Sequence, residues 1–322
     1  MLLGAGLPGA PIRLAAAAVT VPESATLLAP GPAEGEAARL AAQAAVALAR
    51  GLVQAAALRV SVLGGPDGIT AANRFASASF RDGPMLLLLP GPAAQAQLVG
   101  ETRARFEPRH WPAVCGSVQP SLLAGRGPLS ATRPVRLALP AAAAAEAGAL
   151  LALDLLGRPA VPVFGLNGLA AQAAMREGSA DALVLSGPAC EARARALGLT
   201  PWFAFDAVGQ PRDPALPGLP ALSEVVTDPA RPDLLLAAEA AGAALRTRAV
   251  LVLPALTSGD VVALWRGAAR TWAEDAADAA DAGSRRIGAD AATVLLTTLC
   301  PAPEVALAYR VWLLRRLNFQ AG

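Results

Sequence analysis

Residues 59–90 read RVSVLGGPDGITAANRFASASFRDGPMLLLLP, and this stretch decides the fold class. Val60-Ser61-Val62-Leu63 is a short strand that runs into the glycine turn Gly64-Gly65-Pro66-Asp67-Gly68. Ile69-Thr70-Ala71-Ala72-Asn73-Arg74-Phe75 then opens a helix. The turn Arg81-Asp82-Gly83-Pro84 ends that helix and starts a second strand, Met85 to Leu89. A strand, turn and helix in this order aim backbone N–H groups at the space above the strand's carboxyl end. The helix dipole biases that space toward anions.

Upstream, Ala25 to Ala29 reads as a first strand, Pro30-Gly31-Pro32-Ala33 as its turn, and Glu34 to Leu52 as a helix. Leu40, Ala44, Leu48 and Leu52 share one face of that helix at a spacing near the helical repeat. Alternating strands and helices predict an α/β domain with a parallel sheet. Both turns then lie at the carboxyl ends of strands, the edge where open α/β sheets receive ligands. Gly31, Pro32, Ala33, Gly68, Ile69, Thr70 and Ala71 are therefore candidate ligand contacts through their main chain. The alternative is that these glycines only make tight turns. Thr70 either donates a hydroxyl to a ligand or caps its own helix, and Asp67 is expected to cap the helix or point away.

Downstream, Arg133 to Leu139 reads as a strand, Ala141 to Leu156 as a helix and Val161 to Phe164 as a strand. Helix Leu169 to Glu177, strand Ala182 to Leu185 and helix Cys190 to Leu197 follow, giving a second, smaller α/β unit. The chain is expected to leave the first unit near Ser117 to Ala124 and return at Pro201 to Phe205. Two crossings suit a cleft that closes on a ligand. The proline-rich stretch Gln210 to Pro232 is expected to wrap the first unit. Ser258 is a candidate N-cap for a helix running through Trp265 and Trp272. A last helix, Pro303 to Leu317, presents Leu307, Val311 and Leu314 on one face for packing against the first unit.

Composition removes several classes of function. The net charge of the 322 residues is +2, and all 27 basic residues are arginine. Without lysine there is no Walker phosphate loop, and the arginines show no cluster typical of a nucleic-acid binder. The single histidine, His110, reads as structural or solvated. Cys115, Cys190 and Cys300 are too dispersed for a zinc site, and unpaired buried thiols are expected. No G-x-S-x-G elbow occurs. Neither a metal nor a cofactor nor catalysis is expected. Apolar content is 54%, inflated by alanine, and no uncharged apolar run reaches the ~18 residues of a membrane span.

The ordered motifs resemble the Bug-type solute receptors, the extracytoplasmic binding proteins of tripartite tricarboxylate transporters. Pro30-Gly31-Pro32 followed by Arg39 is similar to that family's first turn and helix. Gly64 to Thr70 resembles its second turn, and Asp82-Gly83 before Leu86 to Leu89 its next strand. Phe164-Gly165, Gly178-Ser179-Ala180-Asp181, and the run from Arg212 through Pro214, Leu216-Pro217 and Pro220 to Glu224 complete the set. The resemblance covers about residues 24–275 and implies a two-domain periplasmic-binding-protein type II architecture with mixed or parallel sheets and a two-strand hinge. Its implied boundaries are 1–22 as a degenerate signal peptide or tail, 23–119 with 206–322 as the first domain, and 120–205 as the second.

The resemblance further implies an exported, periplasmic, monomeric receptor that takes a small organic anion, a carboxylate, and delivers it to integral-membrane transporter subunits. Phe164, Gly165, Asn167 and Asp181 join the ligand contacts on that basis, although Asp181 equally suits a turn or cap. The chain departs from the family at Gly35, where an acidic residue is expected, and at Pro140 with Ala141 to Ala145. These departures support an alternative, a divergent sensor or adaptor of the same fold. An enzyme on that scaffold is a further alternative.

Overall fold

A computed structural model describes residues 23–52, 57–78, 83–130, 132–207, 210, 212–227, 230–274 and 283–321. The expected signal peptide or tail at 1–22 and the Arg81-Asp82 half of the predicted turn lie outside the described residues.

The first sheet uses β1 (Ser24–Pro30), β2 (Ala57–Leu63), β3 (Met85–Leu89), β4 (Ala113–Val118), β10 (Thr247–Val252) and β11 (Arg285–Ile287), in the order β11-β4-β10-β3-β1-β2. β1 pairs in parallel with both β2 and β3, as Leu27↔Val60 and Leu27↔Leu86. β10 is antiparallel to β3 and β4, so the sheet is mixed. Strand side chains alternate between faces. Leu27, Ala29, Leu86 and Leu88 accordingly join one core, with Leu40, Ala44 and Leu48 of α1 (Glu36–Gly51) and Trp265 of α9 (Gly259–Ala268). Leu28, Leu87 and Leu89 join the opposite core, with Ile69 and Phe75 of α2 (Ile69–Ala76), Ala93 of α3 (Gly91–Val99) and Leu295 of α11 (Ala289–Leu299). Helices on both faces explain why the Leu86–Leu89 run is apolar without alternation.

The second sheet uses β5 (Ser121–Gly125), β6 (Val135–Ala138), β7 (Ala160–Val163), β8 (Ala182–Ser186) and β9 (Thr200–Ala204), in the order β7-β6-β8-β5-β9. One face carries α5 (Gly168–Glu177) and α6 (Cys190–Ala196), through Ala171, Met175 and Ala194. The other carries α4 (Ala147–Leu155), together with α8 (Pro232–Arg246) and α12 (Pro303–Leu317). α7 (Leu222–Val225) and α10 (Arg270–Glu274) are the remaining α-helices among the described residues.

The chain passes from one sheet to the other at Gln119–Pro120, between β4 and β5, within the predicted crossing. The return is later than expected. β9 remains paired with β5 as far as Leu122↔Ala204, and Ala204 N donates to Pro220 O at 2.9 Å. The proline-rich stretch therefore packs on the second sheet, burying Leu216 and Leu219 beside Leu122 and Ala124, rather than on the first. Aromatic content at Trp202 and Phe203 marks β9 as a core strand, which hydropathy alone does not distinguish from a linker.

Three further readings change. Residues Ala141 to Glu146 form turns, so α4 begins only at Ala147. The helix expected through both tryptophans breaks at Ala269 into α9 and α10. Ser258 takes the N-cap position of α9, but its side chain makes no capping bond. On α12 the face with Leu307, Val311 and Leu314 is exposed, and Val305, Ala306, Tyr309 and Leu313 are buried instead. Trp312 and Arg316 tie α12 to Asp154 of α4, with Trp312 Nε1 to Asp154 Oδ2 at 3.1 Å and Arg316 Nε to Asp154 Oδ2 at 3.0 Å. The Trp312 and Arg316 bonds to Asp154 thus help to select the helix face.

Candidate functional site

The carboxyl end of β8 and the helix that follows β1 face a crevice beside Gln119–Pro120. Its best-formed recess has a volume of about 390 Å³ and is lined by Glu36, Arg39 and Gln43 of α1, Gln119, Ser186 to Pro188, Arg248 and Ser284. α1, β10 and the residues before β11 supply the wall from the first sheet. The β8–α6 turn supplies the wall from the second.

The turn is held by the crossing itself. Gly187, at φ +88°, donates its N–H to Pro120 O at 2.8 Å. Ser186 Oγ lies 2.7 Å from Ser121 Oγ, and Arg193 donates to the Ser186 carbonyl. In the same crossing, Gln119 N donates to Arg246 O at 2.8 Å and Gln119 Nε2 to Leu245 O at 3.2 Å. Arg246 also bonds the Asp206 carbonyl and pairs with Asp213 at 2.7 Å, with both side chains buried. Burial pulls the Arg246 pKa down, and the Asp213 charge opposes that shift.

Charge in the recess is dominated by guanidinium groups. Arg248 pairs with Glu36 at 2.7 Å; the arginine side chain is 11% exposed and the glutamate 64%. Arg39 lies one turn along α1 from Glu36 and is exposed. Glu36 stands in the first turn of α1, where the helix dipole favours a carboxylate.

None of the predicted contacts lines that recess; the two predicted turns of the first sheet follow the carboxyl ends of β1 and β2. Gly31 is buried so closely against Gly64 that a methyl group there would overlap the Gly64 carbonyl, while Pro32 and Ala33 are exposed. Gly68, at φ +75°, packs on the rings of Pro30 and Pro90. Ile69 and Ala71 are buried, and Thr70 is exposed beside Gly64. Gly68 is the N-cap of α2, and Asp67 just before it accepts from Ile69 N at 3.2 Å through Oδ1 and pairs with Arg103 at 3.3 Å. Ile69 and Thr70 border a separate shallow recess with Asn73, Arg103 and Arg105.

In the second sheet, Phe164, Gly165 and Asn167 are exposed in the turn after β7, with Asn167 as the N-cap of α5. Gly165 N donates to Pro140 O at 3.2 Å, which joins this turn to the Pro140–Ala145 segment. That segment reaches the first sheet's helices, where Gln95 Nε2 donates to Ala143 O at 3.0 Å. Asp181 sits at the opposite, N-terminal end of β8. It pairs with Arg136 through Oδ2 at 2.8 Å and Oδ1 at 2.9 Å and also accepts from Arg136 N. Hydrogen bonds from Arg136 hold its pKa below the usual carboxylate range.

Sequence reasoning did not place Glu36, Gln43, Gln119, Ser186, Arg248 or Ser284 in a site. Arg39 had a signal, as the arginine of the helix after the first turn. Arg248 and Ser284 had none, because sheet order alone brings them to α1.

Among the described residues, no group of three His, Cys, Asp or Glu side chains is placed to hold a metal. The three cysteines are free and buried; burial raises all three thiol pKa values, that of Cys300 to about 12. Such thiols are poor nucleophiles. No single described helix is long and apolar enough to cross a membrane.

No family model and no curated protein matches the sequence. Solved structures do match. A TctC solute-binding protein from Polaromonas aligns with 92% of this chain and 100% of its own, at 16% identity and a TM-score of 0.65. An R. palustris protein solved with adipate covers 91% of this chain and 96% of its own, at 16% identity and TM-score 0.54. The periplasmic binding protein BugD covers 90% and 98%, at 16% identity and TM-score 0.53. Two mixed sheets, a crossing between them and a crevice beside it give this chain the two-domain fold of the TctC and Bug solute-binding proteins.

Proposed function

We propose that this chain is an exported solute-binding protein that captures a small organic anion, a carboxylate, between two lobes and delivers it to integral-membrane subunits of a tripartite tricarboxylate-type transporter. One lobe is built on the six-stranded sheet, and the other, which includes the proline-rich stretch after β9, on the five-stranded sheet. One observation carries the reading: Arg39 and Arg248 face the β8–α6 turn across a recess of about 390 Å³. That volume suits a small ligand. A guanidinium matches a carboxylate in a bidentate, charge-assisted geometry. Ser186 and Ser284 supply hydroxyls.

Glu36 stands where a ligand carboxylate would bind. Its own carboxylate holds Arg248, and an incoming carboxylate takes its place. Closure about Gln119–Pro120 then removes water and strengthens the new bonds. No step needs a proton relay or a nucleophile, in keeping with a binding protein rather than an enzyme.

Adipate, bound by an R. palustris protein of the same fold, makes linear dicarboxylates the first ligands to test by isothermal titration. Wild type is expected to bind one equivalent without turnover. Arg39→Ala and Arg248→Ala each weaken binding by about 10- to 100-fold, the loss of a hydrogen bond to a charged group. Unchanged affinity in both variants removes the recess from the function. No binding across mono-, di- and tricarboxylates favours the sensor or adaptor.

A further inference from the structure

Arg158 lies at the edge of the second sheet remote from the crevice, where β6 and β7 begin, and is only 7% exposed. Its Nε and Nη1 are buried and have no hydrogen-bond partner. A guanidinium does not shed its proton in a protein, so this is an enclosed positive charge with donors to spare. The local chain fixes its backbone: Gly157, at φ +64°, follows α4, and Arg158 N donates back to Leu153 O at 2.8 Å.

Arg158 lines an open recess of about 660 Å³ with Leu129, Ser130, Thr132, Leu156 and Val225. The apolar members, Leu129, Leu156 and Val225, suit the methylene stem of an arginine. Ser130 and Thr132 are exposed and offer hydroxyls at the mouth. No carboxylate is among the described residues that line this recess. A buried charge of this kind is costly unless paired and hydrogen-bonded, and the side chains of the lining offer hydroxyls but no countercharge. We propose that the recess is a second anion site, separate from the crevice, which binds a small oxyanion, a carboxylate or inorganic phosphate, through Arg158 with Ser130 and Thr132.

The test is thermal denaturation of the full chain in sodium chloride, acetate or phosphate at equal ionic strength, with isothermal titration of acetate and phosphate to separate the two sources. In wild type the bound oxyanion raises Tm by about 3–5 °C when present at about 100 times its Kd. Arg158→Gln loses that part of the shift. Arg158→Met loses it too and melts above wild type in chloride, because an unpaired buried charge has been replaced by an apolar chain. Ser130→Ala with Thr132→Val, at exposed positions that leave the core intact, weakens oxyanion affinity about 5- to 10-fold. An equal shift in wild type and Arg158→Gln, no shift in wild type, or unchanged affinity in the hydroxyl double variant overturns the site.

Discussion

Glu36 and Arg248 are more than two hundred positions apart in the chain and share an ion pair at 2.7 Å on the rim of the crevice. Because Glu36 is mostly exposed, the pair adds little to stability, and its consequence is for binding. Glu36→Gln releases Arg248 from that pair and removes a negative charge that repels an anion. Carboxylate affinity should rise about 3- to 10-fold by titration, with Tm almost unchanged; a fall would make Glu36 a ligand contact. Glu239 tests a different balance. Burial, and then the charge of Asp206, raises its pKa to about 7. The folded protein therefore holds a proton there between about pH 4.5 and 7 that the unfolded chain has released. The stabilising contribution is full below that window and is lost as pH rises through 7. Glu239→Gln should raise stability at pH 8 by on the order of 1 kcal/mol, after allowance for partial exposure, and make no difference near pH 4. Denaturant melts at the two pH values check the sign.

At the scale of elements, the sheet edge depends on turns that pack against one another. Gly31 admits no side chain because the Gly64 carbonyl occupies the space, so the β1–α1 and β2–α2 turns are locked face to face. Gly31→Ala should cost about 1–3 kcal/mol by overpacking and should displace the start of α1, lowering ligand affinity with it. A protein of unchanged stability would show the turns to be independent. The glycine and proline pattern makes these turns legible in the sequence, since few other residues suit tight βα connections. The same local logic fails for α12. Its leucines and valine at helical spacing suggest a buried face, yet Tyr309 and Leu313 are buried and Leu307 is 61% exposed. An alanine-rich protein offers many competing apolar faces, and the Arg316 and Trp312 bonds to Asp154 choose among them.

At the scale of the whole molecule, the two sheets are not independent bodies joined by a flexible strand. One apolar core runs from Leu98 of α3 through α8 and α12 to Leu150 of α4, Leu137 of β6 and Phe203 of β9. Beside it, the buried Arg246–Asp213 pair ties the crossing to the proline-rich segment. Calorimetry should therefore show one cooperative transition rather than two, and Asp213→Ala, which strands a buried guanidinium, should lower stability by about 3–5 kcal/mol. Two separated transitions in wild type would contradict the shared core. Strand and helix periodicity, the glycine turns and the crossing near Gln119 were all set by local sequence, because each depends on residues within a few positions of one another. The convergence of Arg39, Arg248 and Ser284 on one recess, the side of the crossing on which residues 212–226 pack, and the buried charge of Arg158 were decided only by the tertiary structure. Each of these depends on contacts between distant segments, which spacing along a chain does not encode.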